Sequence, residues 1–140
     1  MKIAFATAGG TRVDEHFGRA GLFAVYDIDR TSFEFLEFRE FAEGRDAEIE
    51  SSKGLGRIHE DKVRAKVDRL SDCRIVYFTE IGGPAAARLV NKGIMPVKVK
   101  EPVSIQDALR ELQKTINKSM PPWLRKAMGG ETLGDRKGED

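Results

Sequence analysis

The chain has 140 residues, 40% of them apolar and 34% charged, with 24 lysines and arginines against 23 aspartates and glutamates. That is enough polypeptide for one hydrophobic core but not two, with the balance of a folded domain and not of a disordered or membrane chain. A net charge of +1 gives no broad nucleic-acid footprint, and one cysteine excludes a disulfide framework or a four-cysteine metal site within one chain.

Lys2–Thr7 is expected to be a buried first strand, ended by Gly9-Gly10. Its apolar stretch is too short for a signal peptide, and no run approaches the ~18 residues that span a bilayer, so the expected compartment is the cytoplasm. Leu22–Ile28 reads as a second strand, Asp29-Arg30-Thr31 as a hairpin-length turn, and Ser32–Phe41 as a third strand. Phe33, Phe35, Phe38 and Phe41 alternate in two pairs with a slip at Leu36, which predicts a bulge. Ala42–Arg57, with Gly44, Gly54 and Gly56, reads as a long polar loop of the kind that is usually functional or mobile.

Glu60–Leu70 is expected to be helical, with Val63, Val67 and Leu70 at i, i+4 and i+7. Arg74–Thr79 follows as a short strand, and Pro84–Asn91 as a helix opened by Pro84 and closed by Gly93. Ile94–Lys100 is a strand that Pro96 assigns to a sheet edge. Ser104 caps a last helix, with Asp107 three residues on and a buried stripe of Ile105, Ala108, Leu109, Leu112 and Ile116; Pro121-Pro122-Trp123 ends it. The order βββαβαβα is that of an α/β domain. Hairpins join its first three strands, and helical crossovers make the later strands parallel to the first. The domain is expected to occupy residues 1–128. Residues 129–140, with four acids, two bases and three glycines among the first six, are expected to be a frayed tail. Lys98–Met128 carries seven basic and three acidic residues, which suits either a solvated helix face or a surface for an acidic partner.

Strand directions place the candidate chemistry. The loop Ala8–Gly21 leaves the end of the first strand, and the long loop after the third strand leaves the same edge. The helix near Glu60 therefore starts there, with His59 at its N-terminus, and the strand Arg74–Thr79 delivers Ile81-Gly82-Gly83-Pro84 to the same place. Open α/β sheets usually bind ligands at that edge. Cys73 lies at the opposite edge, about 20 Å away for six residues of strand, and reads as a small buried apolar residue. Gly82-Gly83 at a helix start would let an anion approach unpaired N–H groups, or else simply makes a tight turn. His16 has Phe17-Gly18 immediately after it and Arg12 and Arg19 on either side. An imidazole beside an apolar ring and two guanidiniums suits a soft, anionic metal centre, one nitrogen binding metal and two cations balancing charge. A solvated histidine paired with Asp14 or Glu15 is the plainer alternative. His59 reads either as a second ligand or as a neighbour of the helix cap.

Several classes are absent. There is no histidine–cysteine cluster at ligand spacing, no HExxH and no G-x-S-x-G. The first strand offers Ile3, Ala4, Phe5 and Ala6 where a nuclease needs metal-binding carboxylates. Asp14, Glu15 and His16 could still form a general acid/base group, but nothing supplies a nucleophile or oxyanion partner in an obvious register, so no catalytic residues are assigned.

Six segments carry a resemblance. They are Lys2-Ile3-Ala4-Phe5-Ala6-Thr7, Arg12-Val13-Asp14-Glu15-His16-Phe17-Gly18, Glu60-Asp61-Lys62-Val63, Ile81-Gly82-Gly83-Pro84-Ala85-Ala86-Ala87-Arg88, Pro96-Val97-Lys98-Val99 and Pro122-Trp123-Leu124-Arg125-Lys126-Ala127. Over about residues 1–128 the chain resembles the dinitrogenase iron-molybdenum cofactor-binding family. The resemblance implies a ribonuclease H-like fold, a mixed five-stranded sheet with helices packed on it, without the nuclease carboxylates. It implies a non-enzymatic carrier and store of the iron-molybdenum cofactor or its iron–sulfur precursors, transiently bound and passed from the NifB protein toward the NifEN scaffold. The histidine of the family's His-Phe-Gly motif is implicated in holding the cluster, which makes His16 the expected metal ligand. Docking to apo-dinitrogenase goes with larger members that have an extra N-terminal domain and is not expected here. A carrier must release its cargo, and one imidazole with charge complementarity is a more reversible grip than several thiolates. The alternative is a protein-interaction or regulatory module of nitrogenase assembly that binds no cluster. Neither nucleic acid nor membrane is expected as a partner, and the oligomeric state is left open.

Overall fold

A computed structural model describes residues 1–41, 56–118 and 120–125, with the side chains of residues 56–61 outside the description. Its strands are β1 (Lys2–Ala6), β2 (Arg12–Val13), β3 (Leu22–Ile28), β4 (Phe33–Glu40), β5 (Ile75–Phe78), β6 (Met95–Lys98) and β7 (Val103–Ser104). Its helices are α1 (Gly56–Arg69), α2 (Gly83–Asn91) and α3 (Ile105–Lys118). The main sheet is mixed and five-stranded, in the order β4-β3-β1-β5-β6. β1 pairs antiparallel with β3 and parallel with β5, and β5 pairs parallel with β6.

β1 is central and covered on both faces, which is why its residues read as an unbroken apolar run. Ile3 and Phe5 join Ala24, Ile28, Ile75 and Tyr77 on one face, where the stripe Ile105, Leu109, Leu112 and Ile116 of α3 covers them. Ala4 and Ala6 join Phe23, Val25, Val76 and Phe78 on the other, under Val67, Leu70 and Leu89 of the α1–α2 side. Each large side chain so buried contributes about 1.5–3 kcal/mol. The small residues of β1 leave space on this second face. Ala6 pairs with Phe23, and the Phe17 ring, 5.7 Å from that of Phe23 and 6.2 Å from that of Phe78, fills the volume above it.

The bulge forms where the slipped alternation puts it. Val25 pairs with Glu37 and Tyr26 with Phe35, so Leu36 is the extra residue of β4. Pro96 lies in β6, an edge strand whose outer side needs no ladder donor. Gly93 closes α2 with φ +80°, and the Ser104 hydroxyl accepts the Asp107 amide at 3.0 Å to cap α3.

Two expectations change. β1 and β3 are not joined by a tight hairpin. Residues 7–21 make a longer excursion that includes β2, whose Arg12 and Val13 pair antiparallel with Ser104 and Val103 of β7. α1 begins at Gly56, so the end of the expected loop, Gly56 and Arg57, is helical and His59 falls within the first turn. The rest of that loop, residues 42–55, lies outside the described residues, as do 126–128 of the domain and the tail 129–140. Among the described residues no helix is long and apolar enough to cross a membrane.

Candidate functional site

β1 and β5 run side by side and end at one edge, and the segments that follow them are stitched together there. The Thr79 amide donates to the Glu15 carbonyl at 3.0 Å, and the Phe17 amide donates to the Glu80 carbonyl at 2.8 Å. His16 and Glu80 thus form a single parallel bridge past the ends of both strands. Neighbouring residues of extended chain face opposite ways. Phe17 is 0% exposed, so the alternation leaves His16 exposed at the rim. The chain then turns, with the Arg19 and Ala20 amides both donating to the His16 carbonyl, at 3.2 and 2.9 Å.

Of the carboxylates beside His16, that of Asp14 is engaged with backbone. Asp14 Oδ1 accepts the Ala8 amide at 2.9 Å, and the Asp14 amide donates to the Ala6 carbonyl at 3.3 Å, which fixes how the loop leaves β1. Glu80, which sequence reasoning did not single out, forms an exposed ion pair with Lys98 at 3.1 Å. Arg12 is exposed on β2, and its Nη2 donates to the Pro102 carbonyl at 3.3 Å. Arg19 is exposed on the turn after Gly18. The Phe17 ring, expected beside the imidazole, is in the core, so it holds the loop down and does not line the surface.

Gly82 is the N-cap of α2, with φ −76° and ψ 154° and no side-chain cap bond; Gly83 and Pro84 open the helix. Both glycines are exposed. Among the described residues only Gly10 and Gly93 have positive φ, so backbone geometry does not require glycine at 82 or 83. Nor does packing: a Cβ on Gly83 or on Gly18 would meet nothing within 4 Å, and one on Gly82 only Pro84 Cδ at 4.0 Å. Left-handed geometry and packing therefore do not call for glycine at 18, 82 or 83, although glycine is favoured over alanine at the N-cap position of Gly82 and in the helical backbone of Gly83 before Pro84. The backbone of His59 is in the first turn of α1, and its side chain lies outside the described residues.

Sequence reasoning missed Lys66. It is 1% exposed, and its Nζ donates to the carbonyls of Phe17 (3.0 Å), Gly18 (3.2 Å) and Ala20 (3.0 Å). The signal was present, since Lys66 stands at i+3 from Val63 on the same face as Val67 and Leu70. Cys73 is buried below the start of β5, and burial pushes its thiol up to about 12. Among the described residues no group of three or more His, Cys, Asp and Glu could hold a metal ion.

The fold and this edge define a small α/β domain that presents one exposed imidazole and a glycine-capped helix start past the ends of two parallel strands. The chain belongs to the family described as dinitrogenase iron-molybdenum cofactor, whose profile matches residues 1–115. It is 37% identical to protein NifX of Sinorhizobium fredii over 98% of this chain and 83% of that protein. It is 38% identical to protein NifX of Herbaspirillum seropedicae, over 91% of this chain and 82% of that protein. Protein NifY of Azotobacter vinelandii is 33% identical over 94% of this chain, which spans 49% of that protein. Among solved structures, the crystal structure of PH0822 shares the fold, with a TM-score of 0.56 at 20% identity over 88% of this chain and 98% of that one.

Proposed function

We propose that this chain is a non-enzymatic carrier and temporary store of iron–sulfur precursors of the nitrogenase iron-molybdenum cofactor, with His16 as metal ligand. In this reading it works in the cytoplasm, receiving cargo from NifB and giving it to the NifEN scaffold. The observation that supports it is the pairing at one edge of an exposed imidazole with glycines that neither φ nor packing requires. A metal–sulfide cluster is soft and anionic. Imidazole suits its iron, and Arg12, Arg19 and the first amides of α2 suit its charge. Side chains at 18, 82 and 83 would stand between such a body and the backbone. Family membership and similarity to NifX support a place in cofactor biosynthesis. So does the similarity to the FeMo cofactor biosynthesis protein NifB of Bradyrhizobium diazoefficiens, 26% identical over 95% of this chain, which spans 23% of that protein. The sheet order, with the second long strand antiparallel to the first, supports assignment to the ribonuclease H-like class.

The interaction-module alternative draws less support. Of the basic residues offered to an acidic partner, Lys98 pairs with Glu80, Arg110 with Asp107 and Lys114 with Glu111. Anaerobic titration with isolated precursor cluster tests the carrier reading. It should give a saturable optical change, and His16→Ala should weaken binding at least tenfold, about 1.4 kcal/mol, while leaving the urea midpoint unchanged. Unaltered affinity in His16→Ala would remove His16 from the site, and no binding by the parent chain would leave the interaction module as the better reading.

A further inference from the structure

We infer that Lys66 is a positioning residue for His16: its buried ammonium gathers the carbonyls of Phe17, Gly18 and Ala20 and so fixes the turn that presents the imidazole. The part of this inference that concerns cargo rests on the carrier reading; the part that concerns the turn does not.

An ammonium is strongly hydrated, and burying one is unfavourable unless its donors are satisfied. Among the described residues Lys66 meets that condition on the turn: its ammonium donates to three carbonyl oxygens at 3.0–3.2 Å, all from residues 17–20. The rings of Phe17, Phe23 and Phe41 surround it, with centroids 5.5–5.6 Å from Nζ, where a cation is favoured over their faces. The turn is therefore held from two sides. Its amides at Arg19 and Ala20 bond back to the His16 carbonyl, and its carbonyls converge on Lys66. Carbonyl dipoles aimed at one point repel one another, and the ammonium offsets that repulsion. Without it the turn should open, and His16 should lose the two amides that fix its own carbonyl. Lys66 sits on α1 beside Val67, so the clamp ties the rim to a helix packed in the core.

Lys66→Met keeps length and apolar volume and removes the donors. Hydrogen exchange by NMR should then show at least tenfold faster exchange at the Phe17, Arg19 and Ala20 amides, with less than threefold change at Phe5 and Val76. A purely structural lysine would lower protection throughout the sheet, and that result, or no change at the turn, would overturn the inference. In Lys66→Ala, n-propylammonium replaces the missing atoms and should restore the exchange pattern, whereas n-propanol should not; restoration by both, or by neither, would overturn it. If the variants do not fold, the parent protein decides. A slowly exchanging Lys66 ammonium with through-bond couplings to the three carbonyl carbons supports the clamp, and an ammonium exchanging at the solvent rate overturns it. With precursor cluster, Lys66→Met should bind at least tenfold more weakly, and His16→Ala with Lys66→Met no more than twofold more weakly than His16→Ala alone. Should His16→Ala bind as the parent does, the ligand assignment fails while the exchange data still decide the clamp.

Discussion

Replacing Gly83 by alanine separates what the fold requires from what the site requires. The position is outside the left-handed region, and an added Cβ would touch nothing within 4 Å beyond its chain neighbours. Alanine restricts the unfolded chain more than glycine does, a gain of about 0.4–1 kcal/mol, but a side chain in helical backbone directly before Pro84 is disfavoured, so stability should stay within about 1 kcal/mol of the parent. In a domain of this size that keeps Tm within about 4 °C of the parent's. The methyl group would nevertheless project from the first turn of α2, where the carrier reading seats an anionic cluster against the amides. Anaerobic titration should show at least tenfold weaker binding, about 1.4 kcal/mol. Gly93→Ala is the opposite control. Its φ of +80° is costly for a side chain, about 1–2 kcal/mol, yet it lies at the other end of α2 and should leave cluster affinity unchanged. A Gly83→Ala protein of near-parental stability that binds cluster as the parent does would refute the seating on α2. One that loses stability as Gly93→Ala does would refute the geometry assigned to the helix start.

Cys73 should be inert in the folded protein. With its thiol pushed up to about 12 by burial, the thiolate at pH 8 is roughly a thousandfold scarcer than for an ordinary cysteine. Iodoacetamide should therefore modify it, by mass spectrometry, only once urea unfolds the chain; equal rates in both states would contradict the burial. Asp72 gives a pH signature. Arg39 donates to both its oxygens, at 2.7 and 2.8 Å, and Lys2 adds a third bond, which together hold the carboxyl well below the usual carboxylate range. The group is less protonated folded than unfolded, so its stabilisation is present above the unfolded pKa of ~4 and is lost as pH falls toward the folded value. Because Asp72 is partly exposed, Asp72→Asn should cost only about 1 kcal/mol at pH 7 by urea unfolding, with the gap closing below about pH 4. A gap that does not shrink between pH 4 and pH 2 would mean that the loss is not electrostatic.

How much of this was legible follows from which forces leave a periodic trace. β1 and β3 were readable as apolar runs because both of their faces are covered, and α3 because it buries one face, so that burial repeats at 3.6 residues. Even the bulge left a mark, as a single slip at Leu36. The meeting of His16 with Gly82-Gly83 at one edge needed only strand directions. β2 and β7 were not readable: two residues carry no period, and Arg12 finds Ser104 across the whole domain. Phe17 was assigned to the surface because the imidazole next to it was read as a patch, when alternation sends adjacent side chains to opposite sides. Lys66 was overlooked because a lysine on a helix is normally solvated. What overrides that preference is the convergence of three carbonyls, a property of the folded loop that no local window contains.

A carrier faces conflicting demands, since a grip that protects its cargo also resists release. Adding ligands deepens both, whereas fixing the ligands already present does not increase their number. His16 is held by the Glu80 bridge, by two amides on its carbonyl and by the Lys66 clamp below it. Ordering a mobile loop on binding costs free energy, and a turn already ordered avoids that cost. In the carrier reading, a single imidazole can therefore hold a cluster tightly enough for transit while remaining one bond, open to displacement by any acceptor that offers several. Rigidity would thus supply what thiolates supply in a permanent site, and a buried lysine would do more for affinity than a second exposed ligand.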